Sequence, residues 1–215
     1  MPVNVKESGM ALKILGRVTS INVRKVLWAA EELGIAHEQE DWGLPIRDPN
    51  VPEFTALNPN AQVPVIVDDG FVLWESNAIL RYLAERHSGL LPADLGGRAL
   101  VEQWLCWQLG ELNPQWGYAV NALMRNNPAY ADRDRIAESV ARWTRVLRVL
   151  EGQLARGAYV ARETFSIADI AIALSTHRWF STPIPERPSL PAMEAHYRRM
   201  QARPAGGRWM TAATP

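Results

Sequence analysis

Cysteine is nearly missing from this 215-residue chain, where Cys106 is the single one. That excludes an intrachain disulfide framework, a CxxC redox pair and a zinc site built from several thiolates. It fits a chain that works in a reducing compartment such as the cytoplasm. An excess of either charge is missing too. Lys and Arg together number 23 and Asp and Glu 23, a formal net charge of zero. No global field therefore draws the chain to nucleic acid or to an anionic membrane, and neither is expected as a partner. No apolar run approaches the roughly 18 residues of a membrane-spanning helix. The first residues carry Lys6 and Glu7 but no apolar segment, so they read as a loose lead-in rather than a signal peptide. Internal repeats, low-complexity tracts and long charge blocks are also lacking. What remains is an ordinary globular composition, long enough for one large domain or two small ones. Tryptophan is plentiful, with nine copies. Most are expected in the core or at a subunit interface, and some in the lining of an apolar pocket.

The pattern along the chain changes character near its middle. Residues 12–15 are short and apolar, a first strand. Gly16-Arg17-Val18-Thr19-Ser20-Ile21-Asn22 is a polar loop. Val23, Val26, Leu27, Ala30 and Leu33 then recur at helical spacing, and Gly34 stops that helix. A second strand falls within 35–42, followed by a loop rich in Pro, Asp and Asn and a short helix near 51–57. Beyond a linker at 89–97 every segment is helical. One helix covers 99–112, with a kink at Pro114 before helical character resumes. Another covers 132–154, with Ile136, Val140, Trp143, Leu147 and Leu150 on one stripe. Ser166 and Asp169 form the acidic version of a capping box, flanked by Phe165 and Ile170 as a hydrophobic staple. The last helix is expected from Pro191 to about Arg203-Pro204, with a loose tail after Gly206. Cys106 is expected to be buried in its helix.

The most informative stretch is Gln62-Val63-Pro64-Val65-Ile66-Val67-Asp68-Asp69-Gly70-Phe71-Val72-Leu73-Trp74-Glu75-Ser76-Asn77-Ala78-Ile79. Val65 to Val67 suit a strand. Asp69-Gly70 is a strong two-residue hairpin signal. Ser76 is placed to cap the next helix. A proline opening an internal strand cannot donate to the ladder, and a cis Val63-Pro64 bond would accommodate it. Val63 would then present its N–H to an extended peptide, and the helix start at Glu75-Ser76 would welcome a carboxylate. A small peptide with a free carboxylate suits both features. The order β-α-β, an irregular piece, then β-β-α is that of a thioredoxin-like α/β domain, here followed by an all-helical one.

Asn58-Pro59-Asn60-Ala61-Gln62-Val63-Pro64 followed by Glu75-Ser76-Asn77-Ala78-Ile79 resembles the glutathione-binding half of the glutathione transferases. Ser20-Ile21-Asn22-Val23-Arg24-Lys25-Val26 is similar to the loop of the serine-type members, bacterial theta- or beta-like, and Ser20 stands fourteen residues before Gly34 as their serine does. The resemblance runs from about Leu12 to Ala205. It implies a glutathione-binding domain at residues 10–87 and a helical domain with the electrophile pocket at residues 95–208. It implies that Val63, before cis-Pro64, holds the cysteinyl backbone of glutathione, that Glu75 and Ser76 hold the γ-glutamyl end, and that Gln62 contacts the glycyl end. A hydroxyl at the start of the first helix would hold the sulfur as a thiolate. Ser20 is the first choice for that role, with Asn22 and Thr19 as rivals, and Ser and Asn are also ordinary helix caps. Trp107 and Trp116 are expected near the electrophile. His177 and Arg178 are weaker candidates. The implied activity is conjugation of the glutathione thiolate to a small hydrophobic electrophile by a homodimer. Glutathione serves as co-substrate, and neither cofactor nor metal is expected. A glutathione-dependent isomerase, dehalogenase or peroxidase on the same scaffold, or a non-catalytic interaction module, are the alternatives.

Overall fold

The computed structural model describes residues 11–161 and 164–211. The lead-in expected at residues 1–10 and the end of the expected loose tail, 212–215, lie outside the described residues. The first half is a four-stranded sheet with helices on both faces. Strands β1 (Leu12–Leu15), β2 (His37–Glu40), β3 (Val65–Asp68) and β4 (Phe71–Trp74) lie in the order β2-β1-β3-β4. Helix α1 (Ile21–Glu32) is the crossover that makes β1 and β2 parallel, while β3 runs antiparallel to both β1 and β4. The β3–β4 turn needs two left-handed residues, which Asp69 (φ 49°) and Gly70 (φ 84°) supply.

Strand periodicity decides which side chains reach which layer. Leu12, Ile14 and Ile66 point to one face. There they meet Val23, Val26 and Leu27 of α1, and Ile79 and Leu83 of α3 (Ser76–Arg86). Leu15 and Val65 point to the other face, with Trp42 and with Phe54 of the short α2 (Pro52–Thr55). The rings of Trp42 and Phe54 meet at a tilt, their centroids 4.8 Å apart.

The second half is helical: α4 (Leu95–Trp107), α5 (Asn113–Leu123), α6 (Arg133–Leu154), α7 (Ile167–Ser181), α8 (Pro191–Gln201) and α9 (Pro204–Trp209). None of the described helices is long and apolar enough to cross a membrane. Helix α7 is the axis. Every residue from Ile167 to Trp179 is buried, as expected of a helix surrounded by others. The capping box is present, and the Asp169 carboxylate also accepts from Val160 N (2.8 Å) and His196 Nε2 (3.0 Å). One apolar cluster joins the two halves: Trp28 and Ala29 of α1 and Leu80 and Ala84 of α3 pack with Leu105, Leu147, Ile170 and Leu174.

Four expectations are corrected. The bend between α4 and α5 is a π-helical turn, Gln108–Leu112, and Pro114 sits harmlessly in the first turn of α5. The wide turn accommodates the amide that proline lacks. Helix α4 begins at Leu95, inside the expected linker, because the Asp94 carboxylate accepts from Gly97 N at 2.8 Å and caps it. Cys106 is exposed, since the inward stripe of α4 runs through Val101, Trp104 and Leu105, and its thiol faces Glu102 Oε1 at 3.0 Å. Among the described residues, which end at Thr211, the chain does not loosen after Gly206. Pro204 opens a further helix, as proline does at a first helical position, and the Trp209 indole ties that helix to Glu31 Oε2 at 3.0 Å.

Candidate functional site

Three local structures converge at one end of the sheet: the β1–α1 loop, the segment that leads into β3, and the β4–α3 junction. The Val63-Pro64 peptide is cis. The buried Asn58 holds the approach to it, donating from Nδ2 to the Gln62 carbonyl (2.7 Å) and accepting from Asn60 N (3.0 Å) at Oδ1. At the β4–α3 junction the chain turns from strand to helix within one residue. Glu75 takes the N-cap position at φ 72°, ψ 108°, and Ser76 is the first helical residue rather than the cap expected from sequence. A left-handed glutamate costs about 1 kcal/mol, and it turns the chain directly into α3 without a linker. The first backbone bond of α3 runs from Ile79 N to Glu75 O. The amides of Ser76, Asn77 and Ala78 therefore stand at the positive end of the helix, and no acidic residue occupies its first turn.

These segments enclose a cavity of about 400 Å³. Gln62, Val63, Pro64, Glu75 and Ser76 all line it, together with Asn22 from the first turn of α1, Asn58, Asn60, and Leu109 from the π-helical turn. The Ser76 hydroxyl donates to Asn22 Oδ1 at 3.4 Å. Five residues chosen from the Gln62–Ser76 stretch thus share one cavity with Asn22, one of the three candidates named at the start of the first helix.

Beneath Ser76 lies a polar cluster that sequence reasoning missed. Lys25 is buried. Its ammonium donates to Asn77 Oδ1 (3.0 Å), Ser76 Oγ (3.3 Å) and Gln108 Oε1 (3.4 Å). Burial pushes its pKa down to about 7, with Glu75 opposing that shift and Arg178 adding to it. Gln108, also buried, accepts from Asn77 Nδ2 (3.1 Å) and donates to Ser175 Oγ (2.9 Å) and Asn113 Oδ1 (3.1 Å). The cluster spans both halves of the molecule. Its sequence signal was faint: Lys25 lies off the apolar stripe of α1, on the opposite face with Trp28 and Ala29, where a cation ordinarily meets water.

Residues 10–85 match the family described as glutathione S-transferase, N-terminal domain, and residues 117–204 match glutathione S-transferase, C-terminal domain. The chain belongs to the glutathione S-transferase family. Glutathione S-transferase GstB of Escherichia coli K12 is 32% identical over 198 residues, covering 90% of this chain and 95% of that protein. Disulfide-bond oxidoreductase YfcG of the same strain is 34% identical over 166 residues, 73% of this chain and 74% of that one. The theta class glutathione S-transferase of Xanthomonas axonopodis pv. citri, solved with glutathione bound, superposes with a TM-score of 0.90 at 38% identity, covering 95% of this chain and 99% of that one.

In this family member the remaining candidates are not among the residues that line the cavity. Ser20 is the half-buried N-cap of α1 (φ −72°, ψ 124°); its hydroxyl makes no capping bond and it does not line the cavity. Thr19 accepts from the Arg17 guanidinium. Trp107 packs edge-on against Trp104 at 5.0 Å, and Trp116 tilts against Trp143 at 6.4 Å beneath the Arg178 guanidinium. Both lie against the helical core. His177 is bound to Tyr197 Oη (2.9 Å) and the Thr211 carbonyl (2.8 Å).

Proposed function

We propose that this chain binds glutathione in the cavity between Val63-Pro64 and the start of α3 and transfers its thiolate to a small hydrophobic electrophile. The observation that carries this reading is the convergence of Asn22, Gln62, Val63, cis-Pro64, Glu75 and Ser76 on one cavity at a helix start. The Ser76 end, with free amides and a hydroxyl, suits the γ-glutamyl carboxylate, and the exposed Glu75 suits the ammonium beside it. Val63 serves the cysteinyl backbone and Gln62 the glycyl end. The sulfur then falls to the first turn of α1, where Asn22 lines the cavity and Ser20 occupies the N-cap position with its hydroxyl uncommitted to the helix. An N–H or O–H donor beside the helix dipole favours thiolate over thiol without any general base.

Leu109 gives this cavity an apolar edge from the helical half, and Trp107 and Trp116 on the same arm shape the wall met by the electrophile. Residues 10–87 form the glutathione unit and residues 95–208 the electrophile unit. Family membership supports a homodimer and a role in detoxification. A free, exposed thiol at Cys106 supports a reducing, cytoplasmic setting.

Calorimetry with glutathione at millimolar concentration tests the reading. Binding is expected, and Glu75→Ala should weaken it at least tenfold, the scale of a lost charged hydrogen bond. No heat and no protection from thermal unfolding would overturn both binding and activity. With binding in hand, turnover of an electrophile panel follows. Asn22→Ala is expected to lower kcat more than Ser20→Ala, and the opposite order would assign the sulfur to Ser20.

A further inference from the structure

We propose that Lys25 is a positioning residue of the glutathione site: its buried ammonium turns the Ser76 hydroxyl toward the cavity and sets a positive charge beneath the carboxylate that binds there. The inference rests on the glutathione reading above and assigns a role to a residue outside the cavity lining.

The geometry carries it. An ammonium has three hydrogens and no lone pair, and those of Lys25 face the Ser76 oxygen, Asn77 Oδ1 and Gln108 Oε1. Because Ser76 Oγ accepts from Lys25, its own hydrogen must point elsewhere. It points to Asn22 Oδ1, across the cavity. An incoming carboxylate takes that hydrogen in place of Asn22 and frees the Asn22 carboxamide for the sulfur end of the same ligand. All three partners of Lys25 are neutral. A buried charge is ordinarily paired, so a cation held only by neutral oxygens, one residue behind an anion site, is half of an ion pair completed by the ligand.

The charged groups that bear on Lys25 are Glu75, from the start of α3, and Arg178, from α7. Gln108, from the π-helical turn, and Ser175, which Gln108 binds, are neutral. Glu75 favours the ammonium and Arg178 opposes it. With burial they hold the pKa at about 7, so the charge under Ser76 is present in mild acid and lost in mild base. Gln108 links the same ammonium to the turn that carries Leu109, and the carboxylate and apolar sides of the cavity therefore share one polar support.

The test is the affinity of the purified full chain for S-methylglutathione, measured by calorimetry between pH 5.5 and 8. This ligand lacks a titrating thiol. Wild type should bind about tenfold more weakly at the basic end, the size expected for one unit charge two hydrogen bonds away in a partly screened site. Lys25→Met and Lys25→Gln should both bind about tenfold more weakly than wild type at pH 6, with a flat pH profile. Glutathione turnover in these variants should show a raised KM with kcat little changed. Lys25→Gln retains donors without charge, so wild-type affinity in that variant would overturn the proposal. A flat wild-type profile overturns it even if neither variant folds. Absence of any binding by wild type overturns the glutathione reading itself, which separates the two failures.

Discussion

Replacing Asp169 with alanine is expected to be among the most damaging single changes in the molecule. The carboxylate is fully buried and accepts four hydrogen bonds: Ser166 N (3.0 Å) and Ser166 Oγ (3.1 Å) at Oδ2, and Val160 N (2.8 Å) and His196 Nε2 (3.0 Å) at Oδ1. A hydrogen bond to a charged group contributes about 1.5–3 kcal/mol, and a buried donor left without a partner costs about 1–3 kcal/mol. The four bonds share one group and do not add. Water entering the space left by the side chain would recover part of the loss, so about 4 kcal/mol is expected in total. For a chain of this length that lowers Tm by roughly 8–16 °C. Ser166→Ala removes only the hydroxyl share and should cost about 1 kcal/mol. Urea unfolding with a common m-value, backed by calorimetry, measures both. If Asp169→Ala costs no more than Ser166→Ala, the bonds to Val160 and His196 carry no stability, and the picture of Asp169 as the joint between α7, α8 and the loop before α7 is wrong.

Gly206→Ala would place a methyl group 1.9 Å from the Met200 carbonyl oxygen and 2.9 Å from the Trp28 ring. The contact is with backbone and cannot be relieved by a rotamer change, so about 2–4 kcal/mol should be lost and α9 displaced; wild-type stability would show that α9 is not seated against α8. Arg203 and Glu32 form a bidentate pair (2.8 and 2.6 Å) that ties α9 to α1. Burial pushes the Glu32 carboxyl up, but hydrogen bonds from Arg203 and Trp28 outweigh it and leave the pKa lowered from 4.5. A double-mutant cycle should give about 1 kcal/mol of coupling at neutral pH, fading as the pH falls below 4.5, because a lowered carboxyl stabilises only while ionised. A cycle with no pH dependence would refute that. Lys25 also makes stability rise with pH, but through its neutral form and in a higher window. Its pKa is lowered from 10.5 to about 7, so between those values the unfolded chain holds the extra proton and stability gains up to about 1.4 kcal/mol per pH unit. Lys25→Met should lack that rise in urea titrations over pH 7–9.

The order of the elements was legible because each announces itself locally. The short apolar run at β1, the β-branched run at β3, the 3–4 spacing in α1 and α6, Asp69-Gly70 and the Ser166–Asp169 box are all short-range signals. Five of the cavity residues were legible for the same reason, since Gln62, Val63, Pro64, Glu75 and Ser76 lie within fifteen residues of one another and a single hairpin brings them together. What lay outside the sequence was non-local. The outward face of Cys106 and the choice between Ser20 and Asn22 as a cavity wall depend on how a helix is rotated about its axis, which is set by packing with partners far along the chain. The π-helical turn that swings Leu109 to the cavity carries the buried Gln108, whose partners Lys25, Asn77 and Ser175 come from α1, α3 and α7. Lys25 is the clearest case. By sequence it is a cation on the face of α1 opposite the apolar stripe. Only the meeting of α1, α3, α7 and the π-helical turn covers that face with neutral oxygens and leaves the cation behind Ser76, because a buried charge takes its meaning from groups that the fold, rather than the chain, makes its neighbours.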